Sequence, residues 1–246
     1  MRTSGLSNVG MVREINEDSF DMNEESGIYI VCDGMGGHEA GEQASQIAVS
    51  TLMDVISNYN VEKELLKFED VETHFSMHQV ILLAMQEANN RILLASTAAG
   101  QMGTTAVMAI KKNGLLYVGH IGDSRMYLVR DKQIKQITED HSVVQQLVKA
   151  GVLSEGEAKT HPYKNVITRC LGIQLEVEPD IFSLPLEKND RVIMCTDGLS
   201  NMVSKEEIKD TTINNNQPEL VCQKLIETAN KNGGIDNITA IVIYND

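Results

Sequence analysis

Eight short runs rich in β-branched residues constrain this chain's fold more than any other feature. They are IYIVC (28–32), TTAVMAI (104–110), LLYVGHI (115–121), RMYLVR (125–130), QIKQIT (133–138), DIFSL (180–184), RVIMCT (191–196) and NITAIVIY (237–244). Each is bounded by turn formers, the pattern of strands. Between the second and third lies Asn113-Gly114, a hairpin signal because both central residues of a type I′ turn need positive φ. A second tight reversal, RDK at 130–132, joins the next two runs. The middle of the chain therefore reads as an antiparallel meander.

Apolar faces at helical period begin near Glu39, at Met77 and at Val143, the last closed by Gly151. A further one has Pro218 in its first turn and Gly233-Gly234 as its stop. Capping boxes at Ser154/Glu157 and Ser204/Glu207 open shorter helices. The polar stretches 58–72 and 211–217 read as surface loops, and the helical, polar segment 141–170 as an excursion from the core. Hairpins with a few helices, without βαβ alternation, point to an α+β fold. Two central antiparallel sheets flanked by helices, in one domain over 1–246, suit this many strands.

With 21 Lys and Arg against 35 acidic residues, the net charge is −14. Such a surface repels nucleic acid and anionic lipid, and it leaves room for several carboxylates to converge on a cation. Cys32, Cys170, Cys195 and Cys222 form no C-x-x-C pair, so they read as small hydrophobes in a reduced compartment. The first twenty residues lack an apolar signal core, and no run approaches the ~18 residues of a membrane span. The expectation is a cytoplasmic protein.

The chemistry is carried by aspartates. Asp33, Asp123 and Asp197 each follow an apolar run, and Asp236 stands just before one. Neighbouring strand ends and starts share an edge of an antiparallel sheet, so four carboxylates can meet at one rim. Unpaired, they would raise one another's pKa; a hard divalent cation removes that penalty, and oxygen-only ligands favour magnesium or manganese over zinc. Any single Asp-Gly pair reads more simply as a turn; four such placements together favour a shared site. Glu17 and Asp18 add a second acidic pair, either binding waters on the metal or solvating a strand start. Arg13 suits a phosphate dianion, or is an ordinary surface charge. His38, in the glycine-rich DGMGGHEAG (33–41), suits acid–base work.

These residues fall in a recognisable series: R-x-x-N-E-D (13–18), D-G-M-G-G-H (33–38), G-T-T (103–105), G-D-S-R (122–125), D-H-S (140–142), I-T-R-x-L-G (167–172), D-G-L (197–199) and D-N-I-T (236–239). In content and order it resembles the metal-dependent protein Ser/Thr phosphatases of the protein phosphatase 2C family, in compact bacterial form. The resemblance implies a four-layer α/β/β/α sandwich with two to three Mn2+ or Mg2+ ions at one end. Asp33 would bridge two metals, with Asp197 and Asp236 completing the first and the Gly34 carbonyl serving the second. Asp123 with Asp197 would hold a third, and Glu17 and Asp18 would accept from metal waters. Arg13 would grip the substrate phosphate, and His38 would protonate the departing Ser or Thr oxygen. A hydroxide between two metals would attack phosphorus in line. The segment 141–170 would be a flap beside the active site. Asn201 departs from the family's pattern, where many members carry aspartate. Phosphorylated proteins and a cognate Ser/Thr kinase would be the partners of a monomer.

Two other readings are weighed. DGMGG resembles the D-x-G-x-G loop of GHKL ATPases only superficially, since Met35 stands where that loop has glycine; P-loop and Rossmann patterns are absent. A phosphoprotein-binding pseudophosphatase would be expected to lack a metal aspartate, and Asp33, Asp197 and Asp236 are all present.

Overall fold

Ile28, Ile30 and Cys32 face one way along their strand and Tyr29 and Val31 the other, yet all five are fully buried. A strand apolar on both faces must lie between two covering layers. The computed structural model, which describes residues 1–36, 39–65, 76–99 and 101–246, has that arrangement.

One sheet has the order β1-β11-β10-β7-β8, formed by β1 (Arg2–Asn8), β7 (Arg125–Arg130), β8 (Gln133–Gln136), β10 (Asp190–Cys195) and β11 (Ile238–Asn245). The other has the order β2-β3-β5-β6-β9, formed by β2 (Asp18–Asn23), β3 (Ile28–Gly36), β5 (Ala106–Lys112), β6 (Leu115–Ile121) and β9 (Asp180–Pro185), with β4 (Met102–Thr104) also on β3. Pairing in both is antiparallel. Between the sheets, Tyr29, Val31, Val107 and Val118 pack with Met126, Val192, Met194 and Ile241. Helices α1 (Ala40–Leu65) and α2 (Met77–Ala99) cover the outer face of the six-stranded sheet through Ala44, Leu52, Ile81, Met85 and Ile92. Against the five-stranded sheet lie α5 (Asp197–Ser200), α6 (Lys205–Ile213) and α7 (Pro218–Lys231), through Leu199, Ile208, Val221 and Leu225. The fold is the expected α/β/β/α sandwich.

Local expectations meet mixed outcomes. The Asn113-Gly114 reversal has φ of 52° and 76°, both in the left-handed region a type I′ turn requires. Both capping boxes form. The stretch 58–72 is not simply a loop, because α1 continues to Leu65 through helix-forming residues without Gly or Pro; 66–75 lies outside the described residues. Likewise α6 runs on to Ile213, with the buried Thr212 hydroxyl donating to the Ile208 carbonyl. TTAVMAI is not one strand: its Thr104 is the last residue of β4, Thr105 lies between, and β5 begins at Ala106. Two strands carry no apolar signal and go unpredicted: β1 (RTSGLSN) and β2 (DSFDMN), each at the edge of its sheet.

Within 141–170 lie α3 (Val143–Lys149) and the short α4 (Glu155–Ala158). The two ends of this segment meet: the Thr168 amide donates to the His141 carbonyl at 2.7 Å, and Val143 to Val166 at 2.9 Å.

Candidate active site

Asp33 continues the side-chain alternation of Tyr29 and Val31, so it points into the space between the sheets. It does not end its strand. Residues 28–31 of β3 pair with β5 and residues 34–36 with β4, and Asp33 sits at the changeover. Thr104 and Thr105 fasten it there: the Asp33 amide donates to Thr105 Oγ1 at 3.0 Å, and its carbonyl accepts from the Thr105 amide at 2.9 Å and Thr104 Oγ1 at 2.8 Å. Gly34 is needed for close approach, not for a turn, since a Cβ there would stand 2.1 Å from the Gly41 carbonyl oxygen and 2.6 Å from that of Glu17. Gly198 is alike, with the Asn237 carbonyl oxygen 2.0 Å from its notional Cβ.

Asp18 lies directly across from Asp33 in the β2–β3 register. It is 7% exposed, and its Oδ2 accepts from two hydroxyls on the opposite side of the cleft, Thr196 just past β10 at 2.8 Å and Thr239 of β11 at 2.7 Å. Asp123 stands in the three-residue link where the chain crosses from β6 to β7, hence from one sheet to the other. Asp197 opens α5 behind Thr196, and Asp236 precedes β11. The two sheets thus deliver the acids to one end of the cleft between them.

Their proximity is visible in their acidities. Removal from water, then the charges of Asp18, Asp197, Asp123 and Asp236, pushes the Asp33 carboxyl well above the usual range. Burial and then Asp197 and Asp140 lift Asp123 to about 7, against the nearby Arg125. Burial, with Asp197 and Asp236 adding to it, carries Asp18 to about 7 despite the two threonines. Asp197 is also raised, by burial and then Asp236; opposing this are Arg125, a hydrogen bond from Asp33, and one from Asn201 Nδ2 at 3.1 Å. Arg13 Nη2 reaches Asp236 Oδ2 at 3.0 Å while its side chain stays 49% exposed. Burial raises Glu17, with Arg13 opposing.

Glu17 Oε1 and Asp18 Oδ1 are buried and have no hydrogen-bond partner among the described residues. Crowded carboxylates, two orphaned acceptor oxygens and an oxygen-only donor set fit a hard divalent cation. Of the residues singled out from sequence, Arg13, Glu17, Asp18, Asp33, Gly34, Asp123, Asp197 and Asp236 come together here. His38 lies outside the described residues.

The residues that hold the acids were missed. Besides the threonines, Asn237 accepts the Glu17 amide at 2.8 Å and donates to the carbonyls of Val9 and Ile15 at 3.0 and 2.9 Å, fixing the segment that carries Arg13. Arg125 forms a forked pair with Asp140, Nε to Oδ1 at 2.9 Å and Nη2 to Oδ2 at 2.6 Å. The motifs G-T-T, G-D-S-R, D-H-S and D-N-I-T contain all of these residues except Thr196, which stands just before D-G-L, and are the available signal.

A second cluster, His120, His141 and Asp180, brings three ligand atoms within 4.8 Å of one another. Hydrogen-bond accounting speaks against a metal. His141 Nδ1 accepts the Gly122 amide at 3.1 Å, so its proton sits on Nε2, directed at Asp180 Oδ2 at 3.1 Å. A cation on Nε2 would drive that proton onto Nδ1, against the amide N–H.

Comparison with known proteins identifies the family. The family model of protein phosphatase 2C matches residues 12–230. A serine/threonine phosphatase stp of Listeria monocytogenes is 37% identical, over 96% of this chain and 93% of its own. Protein phosphatase PhpP of Streptococcus pneumoniae is 36% identical, over 99% and 97%. Among solved structures, the serine/threonine phosphatase PstP/Ppp of Mycobacterium tuberculosis superposes with a TM-score of 0.86 at 34% identity, covering 98% of this chain and 97% of that one. A PstP catalytic domain in complex with two manganese ions gives 0.85 at 32% identity, covering 100% and 98%. The chain belongs to the protein phosphatase 2C family of metal-dependent phosphatases, and it is a protein serine/threonine phosphatase.

Proposed function

We propose that this phosphatase hydrolyses phosphoserine and phosphothreonine at the acidic end of the inter-sheet cleft, with two to three Mn2+ or Mg2+ ions. The observation that carries the reading is the convergence of Asp33, inside β3 where its pairing changes partner, with Asp123, Asp197 and Asp236, each beside a strand end, and little positive charge to balance them. Asp33, Asp197 and Asp236 would hold the first ion, Asp33 and the Gly34 carbonyl the second, and Asp123 with Asp197 the third. Divalent cations in such a site acidify a water and neutralise phosphate charge. Glu17 and Asp18, whose Oε1 and Oδ1 are buried without a partner among the described residues, would accept hydrogen bonds from water beside the ions.

Arg13, exposed at the mouth and tethered through one nitrogen to Asp236, swings to the phosphate dianion and holds it bidentately. His38 gives the departing alkoxide its proton. The segment 141–170, joined to the site by Gly122 and His141, is a flap that contacts the protein around the phosphorylated residue. The whole chain acts as one domain, as a monomer in the cytoplasm, against phosphoproteins made by a cognate Ser/Thr kinase. No described helix is long and apolar enough to cross a membrane. The pseudophosphatase reading loses ground, because the acids that such a protein would dispense with are all in place.

The test is turnover of a phosphothreonine peptide with manganese and then with excess EDTA, for the parent and for Asp33→Asn. Activity is expected to vanish in EDTA and to fall at least ~100-fold in the variant. Undiminished turnover in the chelator would overturn the metal reading.

A further inference from the structure

The link that carries Asp123 is held from the side by two histidines. His120 Nε2 lies 2.9 Å from the Ser124 carbonyl, so that nitrogen bears the proton and donates. His141 takes both polar groups of Gly122: its amide donates to the Gly122 carbonyl at 2.8 Å, and its Nδ1 accepts the Gly122 amide at 3.1 Å. On the far side, Ser124 Oγ meets Thr105 Oγ1 at 2.7 Å, and Thr105 in turn holds the Asp33 amide. Gly122 itself has φ of +106°, and a Cβ there would stand 2.5 Å from the Thr105 side chain. The link is thus pressed between Thr105 and His141, with Asp123 at its apex.

The tautomer of His141 decides whether this hold exists. With a lone pair on Nδ1, the Gly122 amide has its acceptor; with a proton there, two N–H groups face each other. Asp180 Oδ2 accepts from Nε2 at 3.1 Å, which draws the proton to the far nitrogen. Asp180 is itself held by Arg169, whose Nη1 reaches Oδ1 at 3.0 Å. Burial works to raise the Asp180 carboxyl, but the contacts with His141 and Arg169 prevail and keep it low. The His141 ring is buried, and burial keeps it neutral against Asp180 and Asp140. The His120 ring lies 4.7 Å away, tilted by 49°, and is likewise held neutral, chiefly by burial. The hydrogen-bonded set Arg169, Asp180, His141 and Gly122 therefore runs from the base of the 141–170 segment to the Asp123 link.

We propose that His141 is a positioning residue for Asp123: its Nδ1 lone pair fixes the Gly122 amide, and Asp180 fixes the tautomer that makes the lone pair available. The inference rests on the reading of Asp123 as a cation ligand. It assigns a role to a histidine that touches neither phosphate nor metal.

Two substitutions separate the ring's two nitrogens. In His141→Asn the amide oxygen takes roughly the place of Nδ1, keeping the acceptor for Gly122. In His141→Gln the amide nitrogen takes roughly the place of Nε2, keeping the donor to Asp180 and leaving Gly122 without an acceptor. The manganese concentration for half-maximal turnover is expected to stay within about threefold in the Asn variant and to rise ~10-fold or more in the Gln variant. Asp180→Ala, with His141 intact, is expected to move it in the Gln direction. The second readout is the Gly122 amide in the 15N spectrum of the full chain with magnesium. Its solvent exchange should quicken in the Gln and Asp180→Ala variants and stay slow in the Asn variant.

Equal manganese dependence in the Asn and Gln variants would overturn the proposal. So would a Gly122 amide that stays protected in the Gln and Asp180→Ala variants. Asp123→Asn is run alongside: if it leaves the manganese dependence unchanged, the reading of Asp123 as a ligand fails, whereas the Gly122 exchange still decides the hold by His141. A Gln variant that does not fold leaves the decision to Asp180→Ala, in which a protected Gly122 amide sinks the idea.

Discussion

Replacing Asp18 by Asn should make the cation-stripped protein more stable and the working enzyme worse. Asp18 Oδ2 accepts from Thr196 and Thr239, and Oδ1 is buried without a partner. An Asn oxygen can keep both threonines, and its NH2 fills the orphaned position facing the acidic cleft. Burial, with Asp197 and Asp236 behind it, raises the Asp18 carboxyl from 3.8 to about 7. At about 1.4 kcal/mol per tenfold change in proton affinity, that rise is on the order of 4 kcal/mol against the folded state once the group ionises. The sign follows from the proton count. Below about pH 4 the carboxyl is protonated folded or unfolded, and no penalty arises. Between about pH 4 and the folded value of about 7, the native state binds more protons than the unfolded one, so stability falls with pH across that interval and levels off above it.

The assay is urea unfolding of EDTA-treated parent and Asp18→Asn at pH 5 and pH 8. Expected is a midpoint shift favouring Asn at pH 8 that is much reduced at pH 5. With saturating manganese the advantage should shrink, because cations offset the charge, and turnover should drop about 10- to 100-fold, as for other groups that orient a metal's surroundings. An equal Asn advantage at both pH values would mean the gain comes from packing or hydrogen bonding, and the electrostatic argument would be wrong. No advantage at pH 8 would mean that Asp18 is better solvated than its burial implies.

Two further outcomes follow from the same cleft. Gly34→Ala would push a methyl onto the Gly41 and Glu17 carbonyl oxygens; a loss of about 1–3 kcal/mol in urea unfolding is expected, typical of overpacking, together with weaker manganese activation, and an unchanged midpoint would refute the close-approach account of this glycine. Asn201→Asp replaces the donor to Asp197 Oδ2 with another acid, so the EDTA-treated variant should melt lower than the parent at pH 8, and by less at pH 5; calorimetry should register tighter manganese binding, and unaltered melting and affinity would remove Asn201 from the site.

What the chain discloses before folding depends on whether a signal is local. Alternation along 28–32 shows as an apolar run because both faces are covered, and the same holds for β5, β6, β10 and β11, so the sandwich could be anticipated. Strands β1 and β2 escape because each lies at a sheet edge and shows solvent much of its surface. Leu6, the one large apolar side chain of β1, is 39% exposed.

The acids and the residues that hold them differ in the same way. An aspartate at the end of an apolar run is out of place in a strand, and it draws attention wherever it occurs. A threonine within a strand is what β-propensity leads one to expect, so Thr105, Thr196 and Thr239 read as filler. Their significance comes only from register: Thr105 meets Asp33 from 72 residues away, and Thr239 meets Asp18 from 221. Asn237, which fastens the Arg13 segment from the far end of the chain, is another case. Charge placement can be read along the chain, whereas the hydrogen bonds that hold the charges in place exist only once two sheets have paired and packed. Substitutions at these threonines and at Asn237 should therefore disturb the site while leaving its acids untouched.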